Sequence, residues 1–414
     1  MKAYPTYKPS GIDWLGEIPS HWNCAKLKYF VEISNGSDPK TDGDTPVYGT
    51  GEEPFKTCGE YKDGPTVLLG RKGTIDTPHW IDGHYWNVDT AFDTKAKSGY
   101  QLRFFWYIAN SLNMDRYKST TAVPSMTQSA YDNMYLPVPS EEEQEAIAGY
   151  LDEVSGLIDA LMAEKSRQVE ELRSYRTSLI SETVTRGLNP NAPLRPFGID
   201  WLSEVPEHWK VSKLKFSLNE IKDGTHFSPD IVEEGYAYVT ATDVRGVGID
   251  YASTKKVSYN NFIRLVQSGC EILKDDVLLV KDGATTGRVG MKNDDTPAVT
   301  LSSVAILRTK EHSTPKFLFY FLQSNFIQRQ ILVAMAGAAM PRITLEKLGN
   351  FIGIIPPLTE QHEIAEFLDE KTGKIDALIG ELEAQLKELA EYKKAVITEA
   401  VTGKVDVRDW KPQN

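Results

Sequence analysis

Two short turns in this 414-residue chain couple glycines to basic side chains at the exit of an apolar run: Leu69-Gly-Arg-Lys-Gly-Thr74 and Val280-Lys-Asp-Gly-Ala-Thr-Thr-Gly-Arg288. A turn of this kind can lay backbone amides and a Lys or Arg against phosphate oxygens, and an Arg fork can read the acceptor edge of guanine. The same residues also suit a plain strand-end turn with solvated charges. Arg71, Lys72 and Thr74 in the first turn, and Lys281, Thr285 and Arg288 in the second, are the candidate contacts. A polar loop, Lys222-Asp-Gly-Thr-His-Phe-Ser-Pro229, adds Lys222, Thr225 and His226, and its counterpart is Asn35-Gly-Ser-Asp-Pro-Lys-Thr41. Both loops also fit as surface turns. Arg245 joins the set. Ser125 and Gln128, and later Arg342 and Thr344, flank a repeated Pro-x-Met/Ile-Thr segment, where they can donate to phosphate or base or cap a local turn.

No other motif suggests catalysis. The chain has no Gly-x-Gly-x-x-Gly, no phosphate-binding Gly-x-x-x-x-Gly-Lys-Ser/Thr, no Asn-Pro-Pro-aromatic tetrad and no His-Glu-x-x-His. The seven histidines do not cluster with acids at metal spacing, so neither a catalytic nor a metal site is expected. His21 and His208 sit in a repeated Pro-x-His-Trp turn that reads as packing or capping. Cys24, Cys58 and Cys270 are scattered and odd in number, which suits a reducing, cytoplasmic setting.

The elements that must position these loops come twice. Pro9-Ser-Gly-Ile-Asp-Trp-Leu-Gly-Glu-Ile-Pro-Ser-His-Trp22 returns as Pro196-Phe-Gly-Ile-Asp-Trp-Leu-Ser-Glu-Val-Pro-Glu-His-Trp209, an offset of 187 residues. Gln144, Ile147, Ala148, Leu151, Asp152 and Glu153 return as Gln361, Ile364, Ala365, Leu368, Asp369 and Glu370, an offset of 217. The ends of the repeat match and the middles diverge, as in one frame carrying two different readers. Residues 141–187 predict one long helix, with Ser140 and Glu143 as a capping box and Gly187 as the stop. Its seam steps by four and three through Ile147, Leu151, Val154, Ile158, Leu161, Lys165, Gln168, Leu172, Tyr175 and Leu179. The second copy, capped by Thr359 and ended by Gly403, runs through Ile364, Leu368, Lys371, Ile375, Leu378, Leu382, Gln385, Leu389, Tyr392 and Val396. The polar Gln168/Gln385 position either fixes register or is a solvated seam position. The Trp14/Trp22 and Trp201/Trp209 pairs suit anchors where head meets helix.

Each helix should be about 65 Å long. The globular middle between them starts where the first ends and finishes where the second begins, and it is too small to bridge a full helix length. The helices are therefore expected to pair antiparallel, with the tail 403–414 returning to the first middle. The resulting fold class is α+β. Mixed α/β heads at 1–140 and 188–355 are held apart by an antiparallel coiled coil of 141–187 and 356–414, with approximate two-fold symmetry. Within the heads, Thr66–Leu69, Asp276–Val280, Gly235–Thr240 and Ala298–Arg308 read as strands, and Arg103–Leu112 and Pro315–Val333 as helices.

Charge follows the same division. The net charge of −12 sits in the helical segments, −6 over 141–187 and −5 over 356–414, while 1–140 carries −2 and 188–355 carries +1. Basic grooves in the heads are compatible with these numbers; strong non-specific binding of nucleic acid by the whole chain is not. No apolar run reaches membrane-spanning length, and the N-terminus has no signal-peptide core.

The repeated Gly-Ile-Asp-Trp-Leu-x-Glu-x-Pro-x-His-Trp, the repeated run from Pro124 or Pro341 into the long helix, and the Lys222-Asp-Gly-Thr-His226 and Lys281-Asp-Gly-Ala-Thr285 loops resemble the specificity (S) subunit of type I restriction-modification systems. The likeness covers almost the whole chain, twice over and in the same order. It implies two target-recognition domains, each reading one half of a bipartite, asymmetric DNA sequence, and spacer helices whose length sets the gap. It further implies docking of two methyltransferase (M) subunits that bind S-adenosylmethionine and methylate adenine, and of restriction (R) subunits that use ATP and Mg. The chain itself would be non-catalytic and without cofactor. The first copy departs from the pattern, with Asn35-Gly-Ser-Asp in place of the Asp-Gly-Thr-His loop, so its contacts should use different loops. Two other readings stay open at this level: a duplicated coiled-coil protein-interaction scaffold without DNA specificity, and a nuclease with a dispersed site.

Overall fold

The structure, a computed structural model, describes residues 2–112, 114, 117, 124–199, 201–246, 248–336 and 341–411. Asp200, in the second copy of the Trp turn, lies outside the described residues. Chain contacts divide into two compact units, residues 1–166 with 383–414 and residues 167–382. The segment 1–140 falls in the first unit and 188–355 in the second, while the long helices, Glu141–Arg186 and Leu358–Val401, each place part of their length in each unit.

In the first unit, a hairpin of Tyr7–Pro9 and Glu17–Pro19 precedes Asn23–Lys26, which pairs antiparallel with Tyr135–Val138 and so delivers the chain into the long helix. Between them lies a four-stranded antiparallel sheet in the order Val31–Asn35, Ala91–Ala96, Thr66–Gly70, His79–Ile81. A second sheet of Lys56–Cys58, Thr45–Tyr48, His84–Asn87 and Lys62–Asp63 adds one parallel pairing. Helix Leu102–Ser111 is aromatic because it is inserted: Phe104, Phe105, Tyr107 and Ile108 are all buried. They pack in one core with Trp22, Phe30, Ile147 and Leu151 and with Val396, Ala400 and Val401 of the second long helix. The tail returns to this unit as expected: Asp406 N–H donates to Lys2 O at 2.9 Å, and Trp410 stacks edge-on against Tyr150.

The second unit repeats this plan. Hairpin Leu194–Ile199/Leu202–Pro206 precedes Lys210–Lys213, which pairs with Ile352–Ile355 before the second long helix. The main sheet has the same order, Leu218–Asp223, Val304–Thr309, Val277–Val280, Val289–Met291. The offset between equivalent positions grows from 187 at Val31/Leu218 to 210 at Arg71/Lys281 and 217 at Asp152/Asp369. The largest step falls between Asp223 and Val277, where this unit carries a ribbon, Val244–Arg245 with Gly248–Ile249, and helix Tyr259–Gln267.

Capping was legible to different extents. Ser140 and Glu143 form the reciprocal capping box, at 3.3 Å in each direction. The stop glycines adopt φ +77° at Gly187 and +73° at Gly403, and a Cβ there would stand 3.0 Å from the ring of Trp209 and of Trp22, respectively. Thr359, expected as the second cap, lies inside the first turn; the helix begins at Leu358, after two prolines that cannot extend it backwards.

The seam is shifted on alternate rungs. Leu151, Ile158, Leu172, Leu368, Ile375 and Leu389 lie on the buried or half-buried column as expected, and Ile147 and Ile364 are buried at its start. Leu161 and Leu378 do not: they are 45% and 49% exposed, and Tyr175 and Tyr392 are exposed too. The covered positions are one residue later, at Ser155, Met162, Val169 and Arg176, and at Thr372, Ile379, Leu386 and Lys393. A step of four instead of three puts Val169 and Leu386 on the covered column, leaving Gln168 half-buried and Gln385 exposed, where it accepts from Lys165 of the other helix. Two other expectations also change. Pro315–Val333 is two helices, Pro315–Gln323 and Asn325–Met335, broken at Ser324, whose hydroxyl caps the second. Ala298–Arg308 is two strands in different sheets, Ala298–Thr300 and Val304–Thr309.

Candidate nucleic-acid interface

Each lobe is fastened to its helix by three acceptors on the first turns of that helix. The Glu143 carboxylate takes the Trp22 indole N–H at 3.3 Å and lies 2.9 Å from His21 Nε2; Glu360 takes Trp209 at 3.0 Å and lies 2.7 Å from His208. Burial opposes the charge on Glu143, but hydrogen bonds from His21, Trp22 and the Ser140 amide outweigh it and hold the carboxyl below the usual range. Gln144, fully buried, accepts from Gln101 N and donates to Gly99 O and Pro139 O; Gln361 accepts from Thr314 N and donates to His312 O and Pro356 O. Asp152 accepts from Arg103 at 2.7 Å and Tyr107 at 2.6 Å, as Asp369 does from Lys316 and from Tyr320 at 2.8 Å. Burial, reinforced by the aspartate, pushes both phenols well above their ordinary value. The histidine turn thus serves packing and anchoring, and the partially exposed Trp201 is not part of that anchor.

At the far side of the main sheet, three chain segments meet in each unit. The turn after Thr66–Gly70 bridges to the Pro-x-Met-Thr segment: Gly73 N–H donates to Pro124 O at 2.9 Å and Met126 N–H to Arg71 O at 2.9 Å. In the second unit, Gly283 donates to Pro341 O at 3.0 Å and Ile343 to Lys281 O at 2.8 Å. The third segment is the exit of the first sheet strand, Asn35-Gly36 or Asp223-Gly224. Glycine is obligatory there, because a Cβ would fall 2.1 Å from Val88 O at Gly36 and 1.9 Å from Thr300 O at Gly224.

This junction gathers part of the candidate set. Arg71, Lys72, Ser125 and Gln128 line one cavity of about 300 Å³ with Asn35, Phe92, Met126 and Thr127. Arg71 donates to Asp89 O at 3.1 Å and lies over the Phe92 ring, and Gln128 donates to Ile33 O at 3.2 Å. Thr74 is exposed outside the cavity. In the second unit the junction holds Lys281 and Arg342. Lys281, expected to reach out to a ligand, is 2% exposed, with its ammonium 3.3 Å from Asp223 and 3.0 Å from Asp282. Arg342 is exposed and pairs with Asp282 at 3.2 Å. His226 is exposed, 3.7 Å from Asp223, while Thr225 is buried and accepts from Phe227 N. Lys222 pairs with Glu220 at 3.0 Å. Thr344 caps helix Leu345–Gly349, as Thr127 caps Gln128–Asp132. Thr285 accepts from Arg288 N, and Arg288 reaches Val244 O at 3.5 Å. Arg245 lies on the inserted ribbon with Asp250 at 3.2 Å. Asn35, Asp223 and Asp282 lie inside the candidate loops but outside the candidate contacts; the recurring Lys-Asp-Gly at 222–224 and 281–283 signals the two aspartates. Among the described residues no group of three or more His, Cys, Asp or Glu is placed to hold a metal ion, and no helix is long and apolar enough to cross a membrane.

Fold and junction together define a duplicated α+β protein in which one frame carries two lobes with unlike loops. The family model for the type I restriction modification DNA specificity domain matches residues 19–171 and 206–388, and the chain belongs to that family. It is 26% identical over 358 residues to the type I restriction enzyme MjaVIII specificity subunit of Methanocaldococcus jannaschii, covering 83% of this chain and 77% of that one. It is 21% identical over 385 residues to the EcoBI specificity subunit of Escherichia coli, covering 90% and 79%. A solved chain from work on complex assembly and conformational transition of the type I R-M system shares the fold at TM-score 0.68 and 15% identity, covering 94% of this chain and 99% of that one. Membership in a DNA specificity family disfavours the reading as a pure protein-interaction scaffold.

Proposed function

We propose that the lobes at 1–140 and 188–355 each read one half of a bipartite, asymmetric DNA sequence, and that the segments 141–187 and 356–414 form a continuous antiparallel coiled coil that sets the spacing. The observation that carries this is the duplication itself: the anchors at Glu143/Glu360, Gln144/Gln361 and Asp152/Asp369 repeat residue for residue, while the junction loops do not. A repeated frame with unlike loops is what two different half-sites require. The coiled coil is supported by the heptad burial of both helices and by the pairs Asp159–Lys393 and Lys165–Gln385, whose numbers run in opposite directions.

In this reading the chain is a non-catalytic subunit in the cytoplasm that docks two methyltransferase subunits. Support comes from helix positions left uncovered in duplicate: Leu161 and Tyr392 in the first unit, Leu378 and Tyr175 in the second. Equivalent apolar positions suit two copies of one partner. S-adenosylmethionine would bind those methyltransferase subunits, and ATP and Mg the restriction subunits that join the assembly; this chain would hold none of them. Methylome sequencing with and without the gene is the test. A bipartite adenine motif should vanish with the gene, and exchanging 1–140 for the head of a relative should change one half of that motif. Loss of no motif, or change of both halves, would refute the proposal.

A further inference from the structure

The two junctions share a backbone and differ in charge. In the first, Arg71 and Lys72 meet Asn35 and Ser125, and the lining of the cavity holds no carboxylate. In the second, the equivalent places are held by Lys281, Asp282, Asp223 and Arg342, two cations and two anions. Lys281 is buried and its ammonium faces both aspartates. Asp223 ends the first strand of the sheet, Lys281 and Asp282 follow the third, and Arg342 comes from the segment before the second long helix. The four charges therefore tie together stretches that are far apart in sequence. A buried ammonium facing two carboxylates cannot leave them for a phosphate without giving up both ion pairs. Among the described residues the first junction has no such set of carboxylates and presents two cations on a cavity wall.

We infer that the same three-segment junction is used in opposite ways in the two halves: open and cationic at Arg71 and Lys72, where it grips two DNA phosphates, and closed at Asp223, Lys281, Asp282 and Arg342, where it is a clasp that fixes the neighbouring Thr225-His226 loop. Lys281 is thus a positioning residue and not a DNA contact. This rests on the DNA-reading assignment above.

The test uses the full-length chain assembled with its methyltransferase subunits, a duplex carrying the methylated motif and a salt titration, with thermal melting of the chain measured in parallel. Arg71→Ala with Lys72→Ala should flatten the slope of log affinity against log salt by about 1.8, near 0.9 per lost phosphate contact, and leave the melting midpoint in place. Lys281→Met should leave the slope unchanged and lower the midpoint by roughly 6–12 °C, because two half-buried carboxylates lose the ammonium they share. Adding Asp223→Asn and Asp282→Asn to Lys281→Met removes the stranded charges and should recover at least half of that loss, which separates a clasp from a generally intolerant site. A Lys281→Met chain that melts like the parent and flattens the slope overturns the inference, as does an unchanged slope in the Arg71/Lys72 variant. If the unaltered chain shows no salt-dependent binding, the DNA reading itself fails and takes the phosphate half with it, while the melting arm still decides the clasp.

Discussion

Arg176 holds Asp376 through two parallel hydrogen bonds, Nε to Oδ1 at 2.8 Å and Nη2 to Oδ2 at 3.2 Å. The residues 217 positions away, Asp159 before Asp376 and Lys393 after Arg176, form the corresponding pair, with Nζ 2.7 Å from both carboxylate oxygens. One unit contains the first pair and the other unit the second. The duplication therefore reaches individual ion pairs on the long helices, and the seam shift is what brings Arg176 and Lys393 to their partners.

The two pairs should differ in strength. Arg176 is mostly covered and also donates to Gln323, whereas Asp159 is more than half exposed. Arg176→Ala should cost about 1–2 kcal/mol, in the range of charge-assisted hydrogen bonds discounted for partial exposure. Lys393→Ala should cost about 0.5 kcal/mol, as for solvent-screened pairs. Chemical denaturation of each variant measures both; equal losses would contradict the ranking.

Glu143 gives the fold an acid-sensitive anchor. Its carboxyl is held below the ordinary value of 4.5, so its contribution is fully present above that pH and is lost as pH falls through the lower folded value. Melting midpoints recorded from pH 6 downward should drop below about pH 4.5 in the parent. They should drop less steeply in Glu143→Gln, which should also be less stable at neutral pH by about 1–3 kcal/mol.

Leu161 and Leu378 separate docking from folding. Leu161→Glu with Leu378→Glu should change chain stability by less than about 0.5 kcal/mol per site, as expected for exposed positions. Yet the double variant should lose co-purification with a methyltransferase subunit. Val169→Asp, at the covered position of the same helix, should destabilise the chain by about 3 kcal/mol or more through an unpaired buried charge. Retained co-purification in the leucine double variant would remove this face as the docking surface.

Helix length should act as a ruler. Inserting one heptad after Ser166 and one after Leu382 lengthens each helix by about 10.5 Å. At about 3.4 Å per base pair, the gap between half-sites should grow by roughly three base pairs with both half-sites unchanged. The methylated motif reads this directly, and an unchanged gap would rule out the ruler.

Local signals in the sequence were enough for the duplication, the two long helices, the Ser140–Glu143 capping box, the Gly187 and Gly403 stops and the strand–turn identity of 66–74 and 277–283. Each of these depends on residues within a turn or two of one another, or on a repeat visible by comparison of the chain with itself. The heptad phase was not decided locally: Leu161 and Met162, or Leu378 and Ile379, are equally apolar, and tertiary packing chose the column that carries Met162, Val169, Ile379 and Leu386. The fate of Lys281 was likewise invisible, because its carboxylates come from Asp282 beside it and from Asp223, on a strand joined to it only by the sheet. A lysine in a glycine turn looks the same whether solvent or two aspartates surround it. Only the folded sheet brings those charges within reach, and burial then decides that they bind one another.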